Sequence, residues 1–297
     1  MALLYKQILR RPIASAAAGV IVSGVGAFYG TRLISTGHAE STEPQFAFRP
    51  FGPHFTSLRL RSSEAVSPDT KRLVFEFPDE NAKSGLTLTL ATLVTLSRPE
   101  GLWLPVLRPY TPISPLDQRG SVEFMVKHYP NGKASTHLHS LKPGDSLTFA
   151  ATIKRFSWTP NKFSQVYLIA GGTGITPIYQ LIQGILNNPN DKTKVNLVFG
   201  VNSEQDLLLR DELELYKKRF PDRFDYIYTV SHSKEDGPWK KGYVTEELLR
   251  DVVYEPSKDT HVFVCGPPRM ETFLVGSKMT GGILKNLGFT RCQIHQL

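Results

Sequence analysis

The sequence predicts two domains, a small antiparallel β-barrel followed by an α/β domain with a parallel sheet, preceded by an N-terminal membrane anchor helix. The first observation is size, because 297 residues exceed the usual span of one hydrophobic core. The second is a change of pattern, from short β-rich stretches separated by turns to repeated strand, turn and helix. The third is an uncharged stretch at residues 12–31, which as a helix would be about 30 Å long and match a bilayer core.

The residues before the first domain divide into three predicted segments. Residues 1–11 are cationic without a single acid, as in mitochondrial targeting segments, and residues 12–34 form the predicted transmembrane anchor. Residues 35–47 form a polar linker, within which processing could release a soluble form. A secretory signal peptide has a shorter apolar region, and a buried helix of a soluble protein has polar residues at helical spacing. Both alternatives therefore fit residues 12–34 less well.

Composition excludes several classes of protein. Two cysteines, Cys265 and Cys292, are too few for a disulfide framework and lack metal-ligand spacing, so we expect no metal. The net charge is +8, and residues 48–158 hold 14 lysines and arginines against 9 aspartates and glutamates. The sequence has no run of cations with interleaved aromatics, so we expect no nucleic acid partner. The excess of cations favours an acidic protein partner, with a solubilising surface as the alternative.

The barrel domain is predicted at residues 48–158. Its predicted strands are residues 55–61, 72–77, 86–96, 122–127 and 146–150. Turn signals such as Asn131-Gly132 separate these strands, and no long helical period interrupts them.

One extended segment of this domain, Arg108-Pro109-Tyr110-Thr111, suits a flavin nucleotide. Arg108 and Tyr110 share a face, so that the guanidinium can hold a pyrophosphate and the phenol can lie against an isoalloxazine ring. The Thr111 hydroxyl can hydrogen-bond a ring nitrogen, and Pro109 keeps the segment extended. An edge strand with an ordinary surface arginine is the alternative.

A second segment of this domain, at residues 131–138, predicts a short helix with an anion site. Gly132 permits a tight turn, Ser135 or Thr136 can cap the helix, and the free amides together with Lys133 attract an anion. A capped helix that binds nothing is the alternative.

The α/β domain is predicted at residues 159–297. Strands at residues 165–170, 194–201, 225–230 and 261–265 alternate with helices at residues 177–187, 203–219 and 245–252. Thr176 is the predicted N-cap of the first of these helices, and Ser203 with Asp206 forms a capping box for the second. This alternation specifies a parallel sheet with helices on both faces, which binds ligands at the carboxyl ends of its strands.

Two turns fall at those carboxyl ends. In the first, Gly171, Gly172 and Gly174 lack side chains, so their amides can approach a pyrophosphate at a helix N-terminus. The turn is not G-x-G-x-x-G, and a plain connection is the alternative.

The second turn begins at Cys265, which is either a small buried hydrophobe or a residue that packs against a nicotinamide. A second nucleotide beside a flavin implies two redox carriers and hence electron transfer.

Taken in order and at these separations, residues 108–114, 132–135, 171–177 and 265–270 resemble the NADH-cytochrome b5 reductases of the ferredoxin-reductase superfamily. The resemblance covers about residues 50–297. It implies an FAD domain followed by an NADH domain and cytochrome b5 as a separate, acidic acceptor. With its N-terminal segment the chain is most similar to the mitochondrial form, so we expect anchoring in the mitochondrial outer membrane, with a processed intermembrane-space form beside it.

The resemblance also implies roles for individual residues. FAD would contact Arg108, Pro109, Tyr110, Thr111, Val126, Lys127, Tyr129, Gly132, Lys133, Ala134, Ser135 and Thr176. NADH would contact Gly171, Gly172, Thr173, Gly174, Cys265, Gly266, Pro267, Pro268 and Met270, and Ile175 and Pro177 would complete the cofactor site. Three residues would lie next to the reacting atoms. Thr111 would contact the reactive edge of the flavin, Thr70 would lie near the flavin, and Cys265 would lie beside the nicotinamide.

Two positions depart from the family pattern. Relatives that recognise NADH carry an acidic residue about where Ser231 stands, which bonds the adenosine ribose and repels a 2′-phosphate, so the preference between NADH and NADPH is open. The segment Lys154-Arg155-Phe156 stands where the family usually keeps a glycine, which leaves the geometry of the flavin-side loop open.

The leading hypothesis is an NADH-dependent flavoprotein reductase of cytochrome b5, because FAD can accept a hydride and release electrons singly to a haem. One alternative keeps both cofactors but reduces a ferredoxin-like carrier or a quinone. An alternative of another class is a membrane-tethered nucleotide-binding scaffold. The sequence leaves the oligomeric state open.

Overall fold

The structure is a computed structural model that describes residues 45–49, 52–88, 92–97, 104–233, 235–252, 256–277 and 280–297. The predicted targeting segment and membrane anchor, with most of the linker, lie outside these residues. Within the described ranges, no helix combines the length and the apolar composition that a membrane crossing requires.

The strands, in chain order, are β1 (Gly52–Ser67), β2 (Thr70–Glu76), β3 (Thr92–Ser97), β4 (Val106–Tyr110), β5 (Ser121–Lys127), β6 (Ser146–Ile153), β7 (Gln165–Gly171), β8 (Lys194–Val201), β9 (Phe224–Val230), β10 (Lys240–Lys241), β11 (Thr260–Cys265) and β12 (Ile294–Gln296). The α-helices are α1 (Lys133–Ser140), α2 (Ile175–Leu186), α3 (Arg210–Arg219), α4 (Glu246–Val252), α5 (Pro268–Val275) and α6 (Ile283–Asn286). Short 3₁₀ helices cover Gly172–Gly174, Glu204–Asp206 and Arg291–Gln293.

The first sheet is antiparallel, in the order β4-β3-β6-β1-β2-β5. Among the described strands β4 and β5 lie at opposite edges, so the predicted barrel is in fact a curled sheet that these two strands do not close by hydrogen bonds. Helix α1 packs against both β4 and β5, and the Ile113 amide, beyond the end of β4, donates to the Glu123 carbonyl of β5 at 2.9 Å.

An aromatic core holds this sheet together. Phe75, Phe124 and Phe149 are at most 2% exposed, and the rings of Phe124 and Phe149 stack with their centroids 5.6 Å apart. Burying a phenylalanine side chain stabilises the fold by about 1.5–3 kcal/mol. Because these rings stand on β2, β5 and β6, they fix the strands that carry the predicted site residues of this lobe.

The second sheet is parallel, in the order β10-β9-β8-β7-β11-β12. Adjacent residues of β7, Leu168 and Ile169, are both 0% exposed and belong to cores on opposite faces of the sheet. This confirms the prediction of a parallel sheet covered by helices on both sides.

Two predicted helix caps are wrong in detail. Helix α2 begins at Ile175 with Gly174 as N-cap, because the 3₁₀ turn leads directly into it. Thr176 therefore lies inside the first turn, where its hydroxyl donates to the Thr173 carbonyl at 3.2 Å. Likewise Gly132 is the N-cap of α1, and Ser135 lies within the helix.

The predicted helix at residues 203–219 is divided. The capping box of Ser203 and Asp206 is present, but it caps a short 3₁₀ helix, and α3 starts only after Leu209, whose φ is 59°. Leu207, Leu208 and Leu209 are each at most 9% exposed. The left-handed backbone at Leu209 separates the 3₁₀ helix from α3, and all three leucines join the same apolar cluster.

Residues 43–297 form one compact unit in which the two lobes share a core. Ile113 and Met125 of the first lobe belong to the same apolar cluster as the residues of α2. The Gln183 side-chain amide of α2 also donates to the Ile113 carbonyl at 3.0 Å. This packing fixes the junction at which the predicted site residues of the two lobes meet.

Candidate active site

The two predicted NADH-binding turns touch each other. Gly171 ends β7 and Cys265 ends β11, the neighbouring strand. A Cβ added to Gly174 would lie 2.2 Å from the Cys265 carbonyl oxygen, and one added to Gly171 would lie 2.5 Å from the Met270 sulfur. At Gly174 the obstructing atom is backbone, so only glycine fits there, whereas at Gly171 the nearest atom ends a flexible side chain. The contact gives one continuous surface at the carboxyl edge of the sheet.

The middle of the first turn is open. Gly172 has a φ of 52°, and among the described residues nothing lies within 4 Å of a Cβ placed there. The turn leads into α2, a helix of 12 residues whose first turn, described in full, has no acidic side chain. The positive end of such a helix attracts an anion, so this cradle fits the pyrophosphate of a dinucleotide.

The second turn is fixed by a side chain that the sequence prediction missed. The Gly266 amide donates to one Glu271 carboxylate oxygen at 3.1 Å, and Gln296 donates to the other at 2.6 Å. Helix α5 begins at Pro268, with Pro267 as its N-cap, so Glu271 lies in its first turn. An acidic residue in the first turn of a helix is the sequence signal that could have indicated this role.

Cys265 carries a neutral thiol at this edge. Burial raises the pKa of Cys265 to about 12; Glu271 adds to that rise and Arg155 opposes it. A protonated, largely buried thiol packs as a small apolar group and is a poor nucleophile. Phe156, in the segment that departs from the family pattern, packs against Phe263 of the same strand β11 with ring centroids 5.0 Å apart, so that segment lies near this turn.

The predicted flavin segment lies on the edge strand β4. Arg108 and Pro109 are exposed, and the Arg108 guanidinium donates to the Leu107 carbonyl at 2.8 Å. Tyr110 packs against the aromatic core, and its burial raises the pKa of the phenol to about 12 despite the charge of Arg108. Thr111 follows at 8% exposure. The segment therefore offers an accessible cation beside a fixed, neutral phenol.

The predicted phosphate site lies at the start of α1. Ser135 accepts a hydrogen bond from the Tyr129 amide at 3.2 Å and donates to the Gly132 carbonyl at 2.9 Å. Ala134 is buried and Lys133 is exposed at the first position of the helix. The first turn of α1, described throughout, carries no acid, so the amides and Lys133 fit a phosphate.

One contact joins the two predicted cofactor sites. The Tyr129 hydroxyl lies 2.9 Å from the Thr173 hydroxyl, across the junction between the lobes. Ile175, Thr176 and Pro177 continue from Thr173 into α2. The flavin-side segment and the glycine turn thus border the same cleft.

An ion-pair network crosses the junction beside this cleft. Lys127, on β5, lies 2.9 Å from Asp69 and 2.5 Å from Asp206 of the other lobe. Burial alone would lower the pKa of Lys127, but its hydrogen bonds to Asp206 and Asp69 outweigh burial and raise it. Thr70, 1% exposed and opposite Lys127, donates to Asp69 at 3.0 Å. The sequence indicated Asp206 only as a helix cap. One carboxylate oxygen of Asp206 makes that cap with Ser203, and the other forms the ion pair with Lys127.

Val126 contributes its backbone. The side chain is 1% exposed within the aromatic core, and its carbonyl oxygen lies 2.7 Å from the His139 imidazole. A contact of Val126 with a cofactor would therefore use main-chain atoms.

Ser231 lies at the same edge of the sheet but further along it. It follows β9, which β8 separates from β7. Strands lie about 4.8 Å apart, so Ser231 stands about 10 Å from the glycine turn. Its hydroxyl lies 3.0 Å from the His232 imidazole. Lys234, three residues after Ser231, is outside the described residues.

Comparison with known proteins matches both lobes. The family model described as "Oxidoreductase FAD-binding domain" matches residues 57–158, and that described as "Oxidoreductase NAD-binding domain" matches residues 168–275. NADH-cytochrome b5 reductase 2 of Emericella nidulans is 42% identical over 94% of this chain and 89% of its own length. Its counterpart in Pyricularia oryzae is 41% identical over 94% and 88%. Among solved structures, the cytochrome b5 reductase domain of Ulva prolifera nitrate reductase has a TM-score of 0.75 at 26% identity, over 84% of this chain and 100% of that one.

Proposed function

The chain belongs to the NADH-cytochrome b5 reductase family, and from that premise we propose that it transfers electrons from NADH through FAD to cytochrome b5. It is an NADH-dependent oxidoreductase with FAD as its cofactor. The observation that carries this function is the meeting of two sites. The contact of Gly174 with Cys265 builds the nucleotide cradle, and the contact of Tyr129 with Thr173 brings that cradle to the flavin segment.

The residues present fit both cofactors. Arg108, Lys133 and the amides at the start of α1 would hold the FAD phosphates, and Tyr110 would pack against its ring system. The open turn at Gly172 would hold the NADH pyrophosphate. When bound, FAD supplies the chemistry, because it accepts a hydride and passes electrons on one at a time.

The protein itself needs no acid or base for this step. Tyr110 and Cys265 keep their protons at neutral pH, so they provide packing surfaces rather than charge. The Tyr129 to Thr173 contact and the Lys127 network hold the lobes, and with them the two rings, in a fixed relation. Orientation of this kind lowers the barrier because two reactants are held as one assembly.

The test is transfer to the acceptor. The protein is loaded with FAD, reduced with NADH without oxygen, and mixed with ferric cytochrome b5 while the haem spectrum is followed. We expect haem reduction that slows as salt rises, because charge screening weakens docking of an acidic partner on the cationic first lobe. An NADH-reduced protein that leaves cytochrome b5 ferric but reduces a quinone or a ferredoxin would contradict the acceptor.

We further propose that residues 1–34 tether the enzyme to the mitochondrial outer membrane and that cleavage in the linker yields an intermembrane-space form. The support is the cationic start followed by the uncharged stretch at residues 12–31. The test is fractionation of mitochondria followed by carbonate extraction. We expect the full chain to stay in the membrane pellet and a variant lacking residues 12–34 to be released. Release of both would contradict the proposal.

A further inference from the structure

Two neighbouring rows on the outer face of β4, β3, β6 and β1 carry side chains without charge. Across β4, β3, β6 and β1, the neighbouring residues Pro109, Val94, Ala151 and Pro53 form one row. These four residues are exposed or half-buried, whereas Leu93, the residue before Val94, faces the core at 0% exposure. An outward row on an antiparallel sheet ordinarily carries polar side chains.

A second row lies beside the first and extends the same surface. It consists of Leu107, Leu96, Thr148 and Ser57. Its edge residue Leu107 is 50% exposed, and Phe55, which precedes Thr56 on β1, is 76% exposed. An uncharged surface with several apolar side chains and a protruding aromatic ring indicates an interaction site.

The charges around this face decide what covers it. Arg49 and Lys154 are exposed at the end where the chain enters β1 and leaves β6, since Gly52 pairs with Thr152 there. At the other end Arg59 pairs with Glu76 at 3.6 Å. An uncharged surface with a protruding aromatic ring and cations at one border fits an anionic lipid surface. A second copy of the same face would bring the two cationic borders together, which is unfavourable.

The face and the flavin segment use opposite sides of β4. Leu107 and Pro109 point outward, and Arg108 and Tyr110 alternate with them, so Tyr110 packs against the core. Contact of the outer face with a bilayer would leave the cleft free. In the sequence, only residues 32–51 separate β1 from the uncharged stretch at residues 12–31.

We propose that the outer face of β4, β3, β6 and β1 rests on an anionic lipid bilayer, with the Phe55 ring inserted at the level of the headgroups.

The test places a fluorophore on this face of the full chain loaded with FAD. Phe55→Trp is bound to vesicles of phosphatidylcholine and phosphatidylserine, with or without brominated acyl chains, which quench tryptophan on contact. The matched control is Leu215→Trp on α3, a position 54% exposed on the other lobe. The unmodified chain corrects for Trp103, Trp158 and Trp239.

We expect the emission that Phe55→Trp adds to shift to the blue on the vesicles and to lose most of its intensity with brominated lipid, while the emission that Leu215→Trp adds changes in neither way. In a chain that lacks residues 12–34, Phe55→Asp should weaken retention on these vesicles, and it should leave the reduction of FAD by NADH unchanged.

Three results would overturn the proposal. The first is added emission of Phe55→Trp that brominated lipid leaves unquenched. The second is a blue shift that follows protein concentration without lipid, which would indicate a second copy. The third is a shift that requires a haem protein. Flavin reduction in the same samples reports separately on the enzymatic function.

Discussion

At the scale of single residues, two glycines determine how closely the nucleotide-binding turns approach. Gly171 and Gly174 stand where a methyl group would meet Met270 and the Cys265 backbone. Because a backbone carbonyl cannot rotate away as a flexible side chain can, Gly174 is the less tolerant of the two.

We predict that Gly174→Ala slows reduction of FAD by NADH about tenfold or more, since each 1.4 kcal/mol of lost transition-state binding is a factor of ten. The added methyl would lie 2.2 Å from the Cys265 oxygen, and overpacking of this kind costs about 1–3 kcal/mol of stability. Stopped-flow absorbance of the FAD-loaded variant measures the rate.

The control is Gly144→Ala, at a φ of 100° and with open space around it among the described residues. It should lose stability through backbone strain and keep the wild-type rate. A wild-type rate in Gly174→Ala would mean that the turns do not touch.

We predict that Ser231→Asp lowers kcat/KM with NADPH relative to NADH by roughly tenfold, a difference of about 1.4 kcal/mol. A carboxylate at the end of β9 would repel a 2′-phosphate and bond a ribose hydroxyl. Steady-state kinetics with each nucleotide measures the ratio. The neutral variant Ser231→Asn is the matched control and should shift it little. An equal ratio in all three proteins would show that this position does not contact the ribose.

At the scale of secondary-structure elements, ion pairs hold the lobes across the junction. Lys127 on β5 binds Asp206 at the end of a 3₁₀ helix. Arg72 on β2 binds Glu123 at 2.7 Å and reaches Glu212 of α3 at 3.4 Å. Both networks connect one sheet to the helical layer of the other, so they define the geometry of the cleft.

We predict that Lys127→Met lowers the free energy of unfolding by about 1–3 kcal/mol, because hydrogen bonds to charged groups are lost and two carboxylates remain unpaired. The side chains concerned are 20%, 40% and 16% exposed, so water replaces the lysine only in part. Denaturant unfolding of the FAD-loaded protein measures the change. Lys217→Met, which removes a more exposed pair with Asp225, should cost no more than about 1 kcal/mol. Equal losses in the two variants would contradict the role of the junction.

The pairing of β11 with β12 makes stability depend on pH. His261 and His295 lie 2.9 Å apart, and burial lowers the pKa of His295 from 6.5 to about 4, with His261 and Lys162 adding to the shift. The unfolded chain therefore binds more protons than the folded one between these values. The stability present above pH 6.5 is lost as the pH falls towards 4.

We predict that lowering the pH from 7 to 5, about two units that span the unperturbed histidine pKa, reduces the melting temperature of the wild type more than that of His295→Gln. Calorimetry at matched ionic strength measures both slopes. His261 remains in the variant, so some dependence persists. Parallel curves would show that His295 has the same pKa in the folded and unfolded states.

The sequence predicted most elements of both sheets but failed where pairing is non-local. The strand Lys194–Val201 was predicted with its observed bounds, because the run of apolar residues needs burial on both faces. The strand Ile294–Gln296 was missed, since its residues form a strand only through pairing with β11. The left-handed turn at Leu209 was missed for the same kind of reason, because the core that buries the three leucines is built from distant parts of the chain.

At the scale of the whole molecule, two lobes of different construction share one cleft. The order of the domains followed from local periodicity, strands in the first half and alternating strands and helices in the second. The positions of β4 and β5 at the two edges of the first sheet did not follow, because they depend on the pairing of these strands with β3 and β2 rather than with each other. The candidate site was predicted as separate segments, and their convergence at Tyr129 and Thr173 depends on the packing of the lobes.

The most direct test of this account is anaerobic mixing of NADH with the FAD-loaded full chain while the visible flavin absorbance is recorded. Because the nucleotide cradle and the flavin segment border one cleft, we predict rapid loss of the oxidised flavin band. An oxidised spectrum that persists in the presence of excess NADH would contradict the account.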